Sequence, residues 1–309
     1  MRIVFMGTPD FAVPALETLV KSSFEPVLVV TGADKPRGRG QQLLPTAVKK
    51  SALKYRIPVY QPQKLNSPEV IDELKKYRAD LFVVVAFRIL PEQLIVLPRK
   101  AVFNLHASLL PKYRGAAPIQ WALLNGDKKT GVTTFFIEKK VDTGDIILQK
   151  PVEIYPDDNA GSIHDKLAEI GAQLVLESVN QIDKGSFSRQ KQVGETTKAP
   201  KITREMCRIN WSAASEQLIN QIRAFSPYPG AFTGLENNLV KIYKAGSAQF
   251  GDQSPPGFVR VEGQKFFSST GDGWIEILEL QLQGKKRMSA EKFLRGRSFK
   301  QNAVFGDIK

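Results

Sequence analysis

Asn104 and His106 are the residues whose types and spacing most directly suggest chemistry. They stand one residue apart at the end of an apolar run, and the 309-residue sequence contains only 2 histidines. Side chains two positions apart in an extended segment point to the same face, so an amide donor and an imidazole would meet one ligand together. This pairing suits acyl transfer, in which an amide donates to a developing oxyanion and an imidazole donates to it or moves a proton.

A carboxylate is also needed to orient the imidazole or to take a proton from an attacking amine. Asp142 is one candidate, because it lies in a turn-rich link, KKVDTGD, between two predicted strands. Its position in the sequence leaves open whether it reaches His106. Each residue also has a structural alternative: Asn104 can complete a strand end, His106 can be a partly buried capping residue, and Asp142 can serve a turn beside a glycine. His164, which opens a predicted helix, is expected to be structural.

The segments around these residues alternate between strand and helix patterns. Short buried strands are predicted at 2–7, 26–32, 58–61, 81–87 and 101–106, and helices at 12–21, 46–55 and 68–77. The alternation predicts a Rossmann-like α/β fold, in which ligands bind beyond the carboxyl ends of the parallel strands, and His106 lies at such an end. The first strand-to-helix turn, MGTPDF, matches neither the dinucleotide fingerprint nor a Walker-type loop, so NAD or ATP binding is not expected.

A change of pattern in the second half predicts a second domain. The strand and helix patterns of the first domain continue through a predicted helix at 115–124, strands at 131–138 and 145–154 and a helix at 161–181. From 185 to 201 apolar residues nearly vanish. We therefore expect a domain at 1–188, a linker at 189–204 and a second domain at 205–309. Beyond a predicted helix at 213–224, short strands separated by glycines and polar turns predict a small OB-like β-barrel.

The charge balance points to a polyanionic partner, with nucleic acid the first choice. The formal net charge is +13, and a generally basic soluble enzyme is the alternative.

Cys207 is the single cysteine, which excludes an intrachain disulfide and a cysteine-based metal cluster. No apolar run approaches the roughly 20 residues of a membrane span and no secretory signal is recognisable, so a cytoplasmic protein without a membrane partner is expected.

The motifs around the candidate residues resemble those of a known family. Asn104-x-His106 is followed by SLLP and then YRGAAPIQW, and Asp142 lies within VDTGD; these motifs are similar to those of the folate-dependent formyltransferases. The similarity runs nearly from end to end, from FMGTP near the N-terminus to GKKRM near the C-terminus. The loop KPRGRG and the basic C-terminal domain resemble the branch of the family that formylates methionyl-tRNA.

The resemblance implies a reaction and a role for each candidate residue. The α-amine of methionyl initiator tRNA would attack the formyl carbon of 10-formyltetrahydrofolate, with no metal required. Asn104 and His106 would stabilise the oxyanion, and Asp142 would hold His106 in its useful protonation state and help to move the amine proton. A monomer is expected to suffice for this reaction.

The resemblance also implies two sets of binding residues. The residues expected to bind the folate are Phe87, Arg88, Ile89, Leu90, Ser108, Leu109, Leu110, Pro111, Val141, Thr143 and Gly144. Many family members have Tyr-Gly in place of Phe87-Arg88, so the path of this loop and the direction of Arg88 are open. The residues expected to bind tRNA are Lys35, Arg37 and Arg39 in a glycine-flexible loop and Lys285, Lys286 and Arg287 near the C-terminus.

Two other functions are compatible with the sequence. A formyltransferase that acts on a small-molecule amine would share Asn104, His106 and Asp142, but it would not need the basic loop or the basic barrel. A catalytically inactive RNA-binding protein built on this scaffold would not need those three residues together.

Overall fold

Residues 1–37, 42–252, 254–295 and 303–306 are described by the structure, which is a computed structural model. The chain divides into two units. Unit 1 comprises residues 1–118, 129–153 and 164–199, and unit 2 comprises residues 119–128, 154–163 and 200–309.

Unit 1 is built on one seven-stranded sheet, with two short strand pairs beside it. Its strands are β1 (Ile3–Gly7), β2 (Leu28–Val30), β3 (Lys35–Arg37), β4 (Gln42–Leu44), β5 (Val59–Tyr60), β6 (Leu81–Val85), β7 (Ala101–His106), β8 (Arg114–Gly115), β9 (Lys129–Phe136), β10 (Ile146–Glu153) and β11 (Lys198–Ala199). The order in the main sheet is β10-β9-β7-β6-β1-β2-β5. Strands β5, β2, β1, β6 and β7 are parallel, whereas β9 and β10 close one edge in antiparallel register.

Helices separate the parallel strands. The helices in the first 184 residues are α1 (Val13–Val20), α2 (Ala47–Lys54), α3 (Pro68–Lys76), α4 (Glu92–Ile95), α5 (Pro118–Leu124) and α6 (Ala160–Lys184). Local sequence sets where they begin: the Oγ1 atom of Thr46 accepts the backbone N–H of Lys49 at 3.0 Å at the start of α2, and proline stands in the first turn of α1 and α3.

The parallel strands are apolar on both faces because both faces are covered. All five residues of β6, LFVVV, are buried, as are all five of β1. On one face Phe82 and Val84 belong to the same buried cluster as Leu74 of α3 and Leu94 of α4. This core holds β6 and β7 side by side and so fixes the strand that carries Asn104 and His106.

The helix predicted at 115–124 begins three residues later than predicted. It starts at Pro118, whose fixed φ suits the first helical position. Arg114 and Gly115 form β8 instead and pair in parallel with β11. Gly115 has a φ of +128°, which is not helical, and the pairing leaves so little room that a Cβ atom there would lie 2.6 Å from the carbonyl oxygen of Ala199.

The segment predicted as a linker, 189–204, contributes structure to unit 1. Gln190 exchanges two backbone hydrogen bonds with Ile146, and Lys198–Ala199 forms β11. The boundaries 1–188, 189–204 and 205–309 stay a prediction.

Unit 2 is built on an antiparallel sheet that curls into a half-barrel. Its elements beyond residue 200 are α7 (Ser215–Phe225), β12 (Ala231–Leu235), β13 (Asn238–Ala248), β14 (Val259–Glu262), β15 (Lys265–Ser269), β16 (Trp274–Leu282), β17 (Met288–Ser289), α8 (Ala290–Leu294) and β18 (Phe305–Gly306). The strand order is β14-β15-β16-β13-β12-β18, with β17 on β16. The register shifts twice near Lys244, and such irregularities bend a strand and increase its twist. Phe266, Trp274 and Phe305 are buried within the curled sheet.

The predicted fold class, a Rossmann-like α/β domain with a small OB-like β-barrel domain, is confirmed, with the barrel present as a half-barrel. Within the described ranges, no helix combines the length and the apolar character that crossing a bilayer requires.

Candidate active site

Strand β7 presents Asn104 and His106 on one face, as their spacing predicts. Asn104 lies opposite Val84 of β6, and His106 lies opposite Thr133 of β9. The side chain of Asn104 is half-buried, and the described residues offer its amide no hydrogen-bond partner. His106 is 6% exposed. The amide of Asn104 is therefore available to donate to a ligand beside the imidazole.

The hydrogen bonding of His106 distinguishes its two ring nitrogens. Nε2 lies 2.8 Å from the carbonyl oxygen of Tyr113, and a carbonyl can only accept, so Nε2 carries a proton. Nδ1 faces Oδ2 of Asp142 at 3.9 Å, beyond the range of a direct hydrogen bond. The edge-on ring of Phe135, with its centroid 6.4 Å from that of the imidazole, borders His106. In the neutral ring the lone pair is thus on Nδ1, the nitrogen that faces the carboxylate.

Asp142 reaches His106 because its loop turns back along the sheet. Strand β9 runs antiparallel to β7, so the loop starts where the N–H of Ile137 donates to the carbonyl of Val102, at the far end of β7 from His106. Asp142 has a φ of +54°, which an L-residue rarely adopts, and its Oδ2 accepts the N–H of Gly115 at 2.9 Å. The structure therefore brings together Asn104 and His106 on the strand and Asp142 on the loop.

Two glycines allow the backbone of this site to approach other segments closely. A Cβ atom on Gly144 would lie 1.8 Å from the carbonyl oxygen of Phe136, so the loop can fold against β9 only with glycine at this position. Gly115 is confined in the same way by Ala199. Neighbouring Thr143 donates its hydroxyl to the carbonyl of Lys140 at 2.9 Å, which closes the turn.

The SLLP motif forms a tightly bonded turn beside His106. Thr133 donates its hydroxyl to the carbonyl of Ser108 at 2.6 Å and accepts the N–H of Leu110 at 3.2 Å. Gln149 donates to the carbonyl of Leu110 at 2.8 Å. Ser108, Leu110 and Pro111 are buried, so a ligand at this turn would meet its backbone or the half-buried Leu109. The predicted folate-binding role of these four residues stays a prediction.

The loop after β6 is held by Arg88. Its guanidinium donates to the carbonyl of Pro62 at 2.8 Å and to that of Gln63 at 2.9 Å, and it lies 5.2 Å from the centroid of the half-buried Phe87 ring. Partial burial lowers the pKa of Arg88 from its ordinary value. Leu90 is buried, whereas Ile89 is 75% exposed. Arg88 therefore ties its loop to the segment that follows β5, and Ile89 is the large apolar side chain that the loop presents.

The basic residues predicted to bind tRNA differ in their surroundings. Lys35 on β3 is exposed; Arg37 ends that strand, and Arg39 lies outside the described residues. Lys285 and Lys286 are exposed at the turn after β16. Arg287 donates through Nε to Glu279 at 2.6 Å and lies over the ring of Tyr243. Lysines 285 and 286 are thus the more accessible members of the C-terminal group.

Three residues that the sequence did not single out complete the site. Tyr113 supplies the carbonyl for His106, and Gly115 supplies the N–H for Asp142. Gln192 donates to the carbonyls of Asp142 and Gly144 at 3.0 and 2.8 Å. Tyr113 and Gly115 lie inside the YRGAAPIQW motif, which is the signal that could have identified them, whereas Gln192 stands in a polar stretch without such a signal. No group of three potential metal ligands occurs among the described residues.

Comparison with known proteins assigns the class. The family model "Formyl transferase" matches residues 1–179, and "Formyl transferase, C-terminal domain" matches residues 201–298. The fold and the site thus define a two-domain formyl transferase.

Curated relatives narrow this class further. The methionyl-tRNA formyltransferase of Chlorobium limicola is 47% identical over 305 residues, covering 96% of each chain, and that of Bacteroides fragilis is 44% identical over 319 residues, covering 98% of each chain. The chain belongs to the methionyl-tRNA formyltransferase family.

Solved structures share the fold. A sugar 3N-formyl transferase crystallised in the presence of dTDP and 5-N-formyl-THF is 24% identical with a TM-score of 0.67, covering 93% of this chain and 99% of that one. The methionyl-tRNA formyltransferase from Clostridium thermocellum is 18% identical with a TM-score of 0.56, covering 80% of this chain and 94% of that one.

Proposed function

We propose that the protein transfers the formyl group of 10-formyltetrahydrofolate to the α-amine of methionyl initiator tRNA, giving N-formylmethionyl-tRNA for the start of translation. The observation that carries the proposal is the similarity to curated methionyl-tRNA formyltransferases over nearly the whole chain, so that both units are matched. The arrangement of Asn104, His106 and Asp142 supports it independently, because it provides the groups that acyl transfer to an amine requires.

The formyl donor is expected to bind between the loop after β6 and the loop that carries Asp142. Ile89 and Val141 expose 75% and 49% of their areas on these loops, and large apolar side chains suit the flat pterin ring of a folate. Phe87, Arg88, Leu90, Thr143 and Gly144 would shape the pocket around them, and the SLLP turn, with Ser108, Leu109, Leu110 and Pro111, would border it. The donor supplies the electrophilic formyl carbon.

Asn104, His106 and Asp142 would share the chemistry of the transfer. The amide of Asn104 donates to the formyl oxygen as it gains negative charge, and loss of one such donor typically lowers the rate by ~10²–10³. His106 acts through Nδ1, because Nε2 is occupied by Tyr113. In its neutral form Nδ1 accepts a proton, and in its protonated form it donates to the oxyanion. The Asp142 carboxylate stabilises the protonated ring and helps to move the proton of the attacking amine to N10 of the departing tetrahydrofolate, as the bond between N10 and the formyl carbon breaks.

The acceptor tRNA is expected to meet basic residues of both units. Lys35, Arg37 and Arg39 would contact its acceptor end, and Lys285, Lys286 and Arg287 would contact its phosphates. We propose residues 1–188 as the catalytic domain, 189–204 as the linker and 205–309 as the tRNA-binding domain. A monomer is sufficient for this reaction, and a substrate of translation makes the cytoplasm its expected location.

A formyltransferase that acts on a small-molecule amine is less well supported. The sugar 3N-formyl transferase shares the fold, but its sequence identity is far below that of the curated tRNA enzymes. A small substrate also would not account for the exposed lysines at 285 and 286.

The test is transfer of labelled formyl from 10-formyltetrahydrofolate to methionyl initiator tRNA, methionyl elongator tRNA and free methionine. Transfer to the initiator alone supports the proposal; transfer only to a small amine overturns it. His106→Ala should lower the rate by ~10²–10⁴. His164→Ala is the matched control, because His164 pairs with Asp165 at 2.9 Å outside the site.

A further inference from the structure

The segment of residues 190–199, which we call the strap, crosses the candidate active site and is bonded at both ends. Ile146 donates its N–H to the carbonyl of Gln190 at 2.7 Å, and Gln190 donates back at 3.0 Å. At the other end Lys198–Ala199 pairs with β8. Between these ends most side chains are exposed, and only Gln192 and Thr197 are half-buried. Gln192 and Thr197 are therefore the half-buried polar side chains of the strap, whereas the exposed Lys191 pairs through Nζ with Oδ1 of Asp145 at 2.9 Å.

Gln192 uses both ends of its amide to join two parts of the site. Its nitrogen donates to the carbonyls of Asp142 and Gly144, and its oxygen accepts from the guanidinium of Arg114 at 2.6 Å and 3.1 Å. Asp142, with its φ of +54°, is in a backbone conformation that persists only where the surroundings hold it. Gln192 helps to stabilise this conformation, and its hydrogen bonds to the Asp142 loop and to Arg114 set the distance between that loop and β8.

Thr197 is linked to His106 through Tyr113. Its hydroxyl accepts the N–H of Tyr113 at 2.8 Å, and its carbonyl accepts the N–H of Arg114 at 2.9 Å. Tyr113 has a φ of +61°, and its carbonyl is the partner of Nε2 of His106 at 2.8 Å. Because that carbonyl can only accept, its direction keeps the proton of the neutral ring on Nε2 and leaves the lone pair on Nδ1, which faces Asp142.

We propose that Gln192 and Thr197 are positioning residues for the formyl transfer: Gln192 acts through the backbone of Asp142, and Thr197 acts through Tyr113 on the tautomer of His106. The proposal rests on the proposed function in taking His106 and Asp142 as the catalytic pair. The strap is thus part of the catalytic apparatus, although its composition is that of a linker.

Two matched pairs of variants test this. Thr197→Val removes the hydroxyl at nearly constant shape and Thr197→Ser retains it. Gln192→Leu removes all four hydrogen bonds, whereas Gln192→Glu keeps an acceptor for Arg114 and loses the donors to the Asp142 loop. Three of these variants should lower kcat by ~10–100-fold: Thr197→Val, Gln192→Leu and Gln192→Glu. The KM for the formyl donor and the KM for tRNA should change little, because the variants misplace catalytic groups without touching substrate. Thr197→Ser should retain most of the activity.

The two histidines provide a readout that does not depend on activity. The nitrogen-15 shifts of the ring should show His106 with its proton on Nε2 in the wild type, and a mixture of tautomers in Thr197→Val. The signal of His164, which contacts Asp165 and Asp10, should not move and so controls for general loss of structure.

A shift of the His106 signal together with lower kcat supports the proposal. Unchanged His106 signals in Thr197→Val, or equal losses of kcat in Thr197→Ser and Thr197→Val, would overturn it for Thr197. A raised KM with unchanged kcat in Gln192→Glu would overturn it for Gln192. If the wild type fails to formylate tRNA, the proposed function fails, and the ring signals still decide whether Thr197 sets the tautomer.

Discussion

The backbone N–H of Gly115 donates to Oδ2 of Asp142 at 2.9 Å, and the same oxygen faces Nδ1 of His106 at 3.9 Å. The carboxylate is therefore held at a set position by a donor that cannot move independently of β8. The gap to the imidazole exceeds a hydrogen bond, which leaves Nδ1 free to exchange a proton with a substrate group. This relationship determines what each substitution in the site should do.

Asp142→Asn should lower kcat of formyl transfer by ~10²–10⁴. Asparagine keeps the shape and an oxygen for the Gly115 N–H, but it lacks the negative charge that stabilises a protonated His106. Single-turnover transfer measures the effect directly. Glu138→Gln is the matched control, since it removes an exposed carboxylate from the same loop and should leave the rate unchanged. An Asp142→Asn enzyme as fast as wild type would remove Asp142 from the mechanism.

Gly115→Ala should reduce both activity and stability. The added Cβ atom would meet the carbonyl oxygen of Ala199 at 2.6 Å, so β8 and β11 must separate and the N–H that holds Asp142 must move. Gly185→Ala is the control: Gly185 lies outside the strap and has a positive φ of +68°, but apart from its chain neighbours no described atom lies within 4 Å of its Cβ position, so only backbone strain of ~1–3 kcal/mol is expected. Thermal unfolding and kcat are measured on both variants. Equal activity in the two would show that the pairing of β8 with β11 does not position Asp142.

Arg88→Lys should raise KM for the formyl donor about fivefold with little change in kcat, equivalent to roughly 1 kcal/mol. A lysine ammonium lacks the planar fork that reaches both Pro62 and Gln63, so the loop that presents Ile89 loses one attachment. Initial rates at varied donor concentration give the two constants. Arg99→Lys is the control and should change neither constant, because Arg99 is an exposed arginine that pairs with the half-buried Asp80. An unchanged KM in Arg88→Lys would mean that the loop does not contact the donor.

Replacing Lys285 and Lys286 by glutamine should weaken tRNA binding and reduce its dependence on salt. Each phosphate contact contributes about 1 to the slope of log K against log salt, so the slope should fall by about 2 while kcat at saturating tRNA is retained. Binding is measured over a range of salt concentrations. The control is the double variant Lys75→Gln with Lys76→Gln, which removes the same amount of charge from two lysines that already pair with Asp72 and Glu73. Equal effects of the two double variants would indicate a general charge effect rather than a binding surface.

Local pattern was enough to predict the elements that carry the site. Runs such as LFVVV and AVFNLH are typical of buried strands of a parallel sheet, and alternation along an extended chain puts Asn104 and His106 on one face. The motifs added Asp142 to that pair. These features depend on neighbours a few positions away, so the sequence by itself determined them.

Only the tertiary structure decided how Asp142 is positioned beside Asn104 and His106. Asp142 meets Gly115 across 27 residues and Gln192 across 50, and Asp142 and Tyr113 adopt positive φ values that no local pattern announces. The strap shows what local sequence pattern does not predict: a polar, glycine-containing stretch that is typical of a linker supplies Gln192 and Thr197 to the site. Such contacts arise where loops that are distant in the sequence converge in the folded protein, and their geometry is set by close backbone approach rather than by hydrophobic periodicity.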